Sequence, residues 1–186
     1  MSTDADVAAA VALQRTEQPG PPIFVAGGDL ARTLGAGPPD PVQVNELPID
    51  LAEVRLDDAE FAIPACAHVV MRSPWWRGGW LRGSIVLVMN AEFLGRWDVA
   101  PRGHPNDGRV EVVAAGTELS VRQRLAAWRR LPNATHVPHP AISSRSVKQD
   151  RWTFPRPVAV LVDGRAVGRA TSVEVDVIAD AGIVHV

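Results

Sequence analysis

Val158-Ala159-Val160-Leu161-Val162-Asp163-Gly164-Arg165 decides the reading of this chain. A run of small and β-branched residues suits a strand. It ends in Asp-Gly, the pair a type I′ hairpin prefers because both central residues take φ > 0. Downstream, Val173, Val175 and Val177 alternate with Glu174 and Asp176, the period of a strand with one buried face. Ala179-Asp180-Ala181-Gly182 then reads as a turn into a last strand, Ile183 to Val186.

The same period extends upstream. Ile49 to Leu56 partly alternates, Phe61 to Met71 is a second apolar stretch, and Arg109 to Val113 reads as another strand. Ser84 to Met89 is continuously apolar after its first residue, which predicts a strand buried on both faces. One helix interrupts: Ser120-Val121-Arg122-Gln123 fits a capping box, and Val121, Leu125 and Trp128 recur at helical spacing before Leu131-Pro132-Asn133 stops it. The pattern predicts a mainly β, β-sandwich-like domain with one or two helices over residues 23–186. Residues 1–22 read as a flexible arm bearing a short Ala- and Val-rich helix over 4–16. Pro/Gly breaks fall at 18–22 and 37–39, with one or two helical turns at Leu30 to Leu34 between them.

Composition narrows the classes. With 186 residues, 46% hydrophobic and 22% charged, the chain suits a globular domain with a real core. A net charge of −2 offers no global basic field for nucleic acid. Cys66 is the single cysteine, so no internal disulfide framework forms and a Cys-based zinc site lacks ligands. No apolar run approaches the roughly 20 residues that span a bilayer. The start, Met1 to Asp6, is acidic where a signal peptide is basic. The expectation is a cytoplasmic protein, with peripheral membrane contact left open.

Three stretches in order resemble the diacylglycerol kinase and sphingosine kinase family of the NAD kinase-like superfamily, in its bacterial soluble form. Gly27-Gly28-Asp29-Leu30-Ala31-Arg32-Thr33-Leu34-Gly35, followed by Pro48-Ile49-Asp50-Leu51, is similar to the family's G-T-x-N-D-x-A-R-x-L-G segment and the I-D-L strand after it. Asn90 to Gly95, Val99-Ala100-Pro101 and Asn106-Asp107-Gly108-Arg109-Val110-Glu111-Val112 resemble the N-x-x-x-x-G…A-P…D-G-x-L-x-V stretch. Leu161-Val162-Asp163-Gly164 stands beside the family's L-D-G-E hairpin, with Arg165 at the Glu position. Gly28 stands where the family has Asn. The resemblance implies the family's C-terminal β domain. The nucleotide-binding half with its G-G-D-G-T loop would precede residue 23, where nothing reads G-G-D-G-T.

The resemblance assigns candidate roles. Asp163 takes the position of the general base that accepts the lipid hydroxyl proton; the alternative is a plain hairpin turn. Asp107, with the backbone carbonyls of His104 and Arg109, takes the position of a structural Mg²⁺ site; the alternative is an Asn-Asp-Gly turn. Asp29 takes the cleft position near the nucleotide; the alternative is an N-cap. Arg165 beside Asp163 would favour the ionised carboxylate if close.

Residues outside the motifs add further candidates. Trp75, Trp76 and Trp80 interleaved with Arg77 and Arg82 suit a lipid or membrane interface, helped by Arg122, Arg124, Arg129 and Arg130 on the helix; the alternative is core or interface packing. His136 and His139 read as structural. Three functions compete: a non-catalytic lipid-binding or regulatory module, one subunit of a split lipid kinase whose partner chain supplies ATP binding, and a structural protein with a filled cleft. Strand edges left bare by a missing half predict a homodimer or a partner chain.

Overall fold

The computed structural model describes residues 3–16, 20–36, 44–137 and 139–186. The expected break at 37–39 lies outside these residues, as do positions 18 and 19 of the one at 18–22. In chain order the elements are α1 (Asp4–Thr16), β1 (Ile23–Phe24), α2 (Gly28–Thr33), β2 (Glu46–Leu56), β3 (Ile63–Ala65) and β4 (His68–Arg72). A 3-10 turn (Trp75–Arg77) leads to α3 (Gly79–Arg82), β5 (Ile85–Met89), β6 (Phe93–Leu94), β7 (Trp97–Asp98) and β8 (Val110–Ala115). Then come α4 (Val121–Arg130), β9 (Ile142–Val147), β10 (Gln149–Val162) and β11 (Arg165–His185).

One nine-stranded sheet dominates, in the order β3-β2-β11-β10-β4-β5-β8-β9 with β1 alongside β11. β1 pairs in parallel and the other pairs are antiparallel. Alternate residues of distant strands meet in one cluster: Val54, Met71, Val88, Val112, Val160 and Val175 are all buried there. Strands from both ends of the order thus share one interior, so the sheet rolls on itself and gives the sandwich-like form expected. β5 is buried at all five residues, as its unbroken apolar run predicts. The hairpin turn holds Asp163 at φ 45° and Gly164 at φ 79°, the signs a type I′ turn requires.

Three expectations need correction. Ala179 to Gly182 does not separate two strands: β11 runs on, with a register shift against β2 between Ile178 and Gly182. Asp50 explains it, because its Oδ1 accepts the Asp180 N–H at 2.9 Å and replaces a ladder bond at the bulge. The N-terminal helix is not loose. Val7, Ala8 and Val11 are buried against Ile49, Leu51, Ala181 and Val184. Such burial contributes about 1.5–3 kcal/mol per valine, which holds a helix too short to persist alone. Finally, α4 has the predicted capping box of Ser120 and Gln123, but its inward face is turned. Leu125 is 43% exposed and Arg124 only 3%.

The described sheet edges are blunt. β3 has three residues including Pro64, and β9 exposes Ser143, Ser144 and Arg145. Short or polar edges of this kind resist strand-to-strand association.

Candidate functional site

Asp163 sits in the β10–β11 turn, 7% exposed. Its Oδ2 accepts the Cys66 N–H at 2.9 Å, and its Oδ1 accepts those of Ala67 at 3.0 Å and His68 at 2.8 Å. Its own N–H donates to the His68 carbonyl at 2.9 Å. A carboxylate offers about four lone-pair positions, and three are taken by the β3–β4 junction. Arg165 does not join Asp163. Its guanidinium reaches Asp6 at 2.6 Å and the Thr3 hydroxyl at 3.2 Å. There it meets a reciprocal cap in which Thr3 N–H donates to Asp6 and Asp6 N–H to Thr3 Oγ1. These contacts hold the Asp6 carboxyl down at about 2, the Thr3 bonds acting before Arg165.

Asp29 is not an N-cap. The cap position of α2 is Gly27, which makes no side-chain bond. Asp4, 25 residues earlier, supplies it: its carboxylate accepts the Asp29 N–H at 2.8 Å and the Leu30 N–H at 3.1 Å. Gly28, at φ +96°, makes room, since a Cβ there would lie 2.1 Å from Asp4 Oδ1. Asp29 itself accepts the Gly95 N–H at 2.8 Å and faces His68 Nδ1 at 3.5 Å. One ligand atom each from Asp4, Asp29 and His68 lie within 4.8 Å of one another, so these three side chains can hold a cation. The mixed nitrogen and oxygen donors suit a borderline divalent ion better than Mg²⁺. Burial pushes the Asp4 carboxyl up, and the charges of Asp163 and Asp29 add to the rise. Burial, with Asp163 and Asp4 behind it, pushes the Cys66 thiol well up, so this cysteine is a packed, inert thiol.

The loop of His104 to Arg109 is fixed by Asp50 rather than by Asp107. Asp50 is fully buried; its Oδ2 accepts the Gly108 N–H at 2.6 Å, and its N–H donates to the Pro105 carbonyl at 2.6 Å. Asp107 is exposed and closes its own turn, accepting the Arg109 N–H at 2.9 Å. One exposed carboxylate oxygen beside loop carbonyls is compatible with Mg²⁺, which needs little more than that and water.

Burial is the main cause that raises the carboxyls of both Asp50 and Asp4. A raised group binds its proton more readily folded than unfolded. Its contribution to stability is complete below the ordinary 3.8 and is lost as pH rises through the folded value. Urea midpoints compared at about pH 7 and about pH 4.5 are therefore expected to show these two groups adding stability at the lower pH. An Asp4→Asn, Asp50→Asn variant should lack that gain; an equal gain in the variant overturns the assignment.

The tryptophan segment divides. Trp75 and Trp76 are 78% and 52% exposed. Trp80 turns inward, edge-on to Trp97 at 6.4 Å, while Trp97 stacks on Trp128 at 6.3 Å. With Leu87, Leu94 and Val113 these rings line a small apolar cleft of about 70 Å³, partly open to solvent, between α4 and the outer face of β5 and β8. Arg124, expected on a membrane-facing surface, closes the end of this cleft. Its guanidinium donates to the carbonyls of Leu119 at 3.3 Å, Trp80 at 3.2 Å and Gly116. Burial lowers its pKa. His136 also lines the cleft, with Nε2 3.1 Å from the Val99 carbonyl, and burial lowers its pKa as well. His139 Nδ1 accepts the Ala141 N–H at 3.1 Å, a structural bond as expected. A second, more open cleft shares Trp80, Leu94 and Trp97 and extends to His68 and Gly164.

The structure thus gathers Asp29 and Asp163 at one end of the sheet and leaves Asp107 apart on its own loop. The sequence reading missed Asp4, His68, Asp50, Trp97 and Trp128. Only Asp50 carried a local signal, a charge set between Ile49 and Leu51; the others are joined to the site by tertiary contacts.

No family model matches the sequence, and no curated protein matches it. Solved structures do match the fold. A diacylglycerol kinase from Bacillus anthracis str. Sterne superposes with TM-score 0.61 and 11% identity, over 99% of this chain and 82% of that one. Two structures of a candidate diacylglycerol kinase from the same strain give TM-scores of 0.67 and 0.68 at 13% identity, over 98% of this chain and 75% of theirs. The mainly β fold of this chain is therefore a diacylglycerol kinase-like fold.

Proposed function

We propose that this chain is a lipid-kinase-related module that binds an acyl lipid in the cleft beneath α4 and does not phosphorylate it alone. The observation that carries the reading is the cleft itself. Three tryptophans and aliphatic side chains form an apolar slot with few polar groups, and its Trp80–Trp97 wall continues to the Asp163 turn. Asp163 supports the non-catalytic part. A general base must reach the proton it takes, and this carboxylate is buried with three amides upon it. Phosphoryl transfer also depends on positioned ATP and Mg²⁺. A partner chain that supplied them would make the split-kinase reading the better one. Mg²⁺ at the 104–109 loop would be held by Asp107 and the carbonyls of His104 and Arg109, as a structural ion.

Tryptophan fluorescence reports directly, since Trp80, Trp97 and Trp128 line the slot. A soluble fatty acid or lysolipid is expected to change the emission saturably, and Ala127→Phe, which fills the slot from α4, should weaken binding by roughly tenfold or more. Equal binding by the variant overturns the pocket assignment. Calorimetry with ATP and Mg²⁺ is expected to show no stoichiometric heat; a clear isotherm would overturn the non-catalytic reading.

A further inference from the structure

Trp75 and Trp76 are large apolar groups held out in solvent by a rigid local structure. Pro74 precedes the turn, and its carbonyl accepts the N–H groups of Arg77 at 2.9 Å and Gly79 at 3.1 Å. Gly78 follows at φ +98°, where a Cβ would lie 2.8 Å from Arg82 Cβ. The two indoles meet edge to face at 5.7 Å. Leu81, 42% exposed, lies on the next helical turn. Water gains nothing from this display, so the exposed rings point to a partner.

The charge around the rings is one-sided. Arg169 lies over the Trp76 ring at 4.6 Å, Arg77 bonds to the Pro157 carbonyl, and Arg82 and Arg156 are exposed. Residues 61–91 contain no carboxylate, and residues 151–173 contain only Asp163, which is buried. In a protein of net charge −2, two stretches thus carry no exposed acid and set arginines around two tryptophans. Two copies meeting through this face would bring arginine against arginine, which disfavours a self-interface.

We propose that the Trp75–Trp76 turn docks the protein on the surface of an anionic lipid bilayer. The indoles and Leu81 enter at headgroup depth, where amphipathic rings are most at home. Arg77, Arg82 and Arg169 meet lipid phosphates, as arginine does with high geometric fit. The docking element and the cleft share one segment: Trp80 lines the cleft, and its carbonyl is bound by Arg124. Docking would therefore set the cleft beside the leaflet, but it stands without the cleft's being occupied.

Vesicles of phosphatidylcholine, with and without phosphatidylserine, provide the test by co-sedimentation. The chain should bind the anionic vesicles, more weakly as salt rises, and bind plain phosphatidylcholine less. Trp75→Ala, Trp76→Ala should lower the affinity by roughly tenfold or more. Arg82→Glu, Arg169→Glu should remove the preference for anionic vesicles. Phe61→Ala, an exposed ring on the β2–β3 connection, should change nothing. Both tryptophans are exposed, so the double variant should keep the wild-type urea midpoint. Wild-type protein that stays in solution with both vesicle types, or a folded Trp variant that binds as wild type, overturns the proposal. So does capture of a protein through this face with no vesicle binding. The two readings separate cleanly: Ala127→Phe should lose the soluble lipid yet still bind vesicles, whereas a chain that takes up lysolipid but ignores vesicles retains its cleft and loses the docking surface.

Discussion

Asp163→Ala is expected to lower the free energy of unfolding by about 3–6 kcal/mol, read from urea denaturation. The substitution strands the amides of Cys66, Ala67 and His68 in a buried junction, and each unpaired buried donor costs about 1–3 kcal/mol. It also places alanine at φ 45°, a region open to Asp, Asn and Gly at less cost. A domain of this kind has only about 5–15 kcal/mol in all, so the variant should be barely folded at ambient temperature. Asp163→Asn keeps one acceptor oxygen and the same shape, so it should lose roughly half as much. A cost below about 1 kcal/mol for the alanine variant would mean that the three amides find other partners. Asp163 is thus first a tie between the β10–β11 hairpin and the start of β4. An activity lost on its removal says nothing of a catalytic proton transfer until folding has been checked.

Arg124→Ala should produce the second large effect, a loss of about 2–4 kcal/mol together with lipid binding in the cleft. Its guanidinium joins three chain segments: the end of α3 through Trp80, the loop before α4 through Gly116, and the helix lead-in through Leu119. Without it those carbonyls lose their donor and α4 loses its anchor over the slot. Lysine retains the charge but lacks the planar fork that serves several acceptors at once. Arg124→Lys should therefore rescue only part of the stability. The tryptophan emission of both variants should shift to the red as Trp97 and Trp128 become wetter, and fatty acid should no longer change it. Unchanged stability with intact lipid binding would show that α4 seats itself by its apolar residues alone.

The strands were the most legible part of this molecule, for a simple reason. Their period of two is written in adjacent residues, as in Val173 to Val177, and the hairpin is announced by Asp163-Gly164. The capping box of α4 was equally local. What the sequence concealed was decided at long range. The phase of α4 is set by carbonyls of α3 and its preceding loop, which draw Arg124 inward against its hydropathy. The continuity of β11 is set by Asp50, 130 residues away. Asp29 looked like the cap of its own helix because the true cap, Asp4, arrives from another element. For the site, the resemblance led to Asp163 and Asp29, and the structure places both at one end of the sheet. Their contacts, and with them what each can do, came only from three-dimensional neighbours.

The cluster that joins α1 to β11 bears on how the chain folds during synthesis. Val7 and Val11 pack with Ala181 and Val184, and Gln14 accepts the Ile183 N–H at 3.1 Å. α1 therefore meets its principal partner only after β11, far along the chain, has emerged. β2 shares that wait, since its register with β11 pairs Glu46 with His185. Such separation along the chain slows folding and leaves apolar faces open while translation proceeds. This part of the sheet cannot be laid down vectorially: it is sealed only when β11 meets α1 and β2.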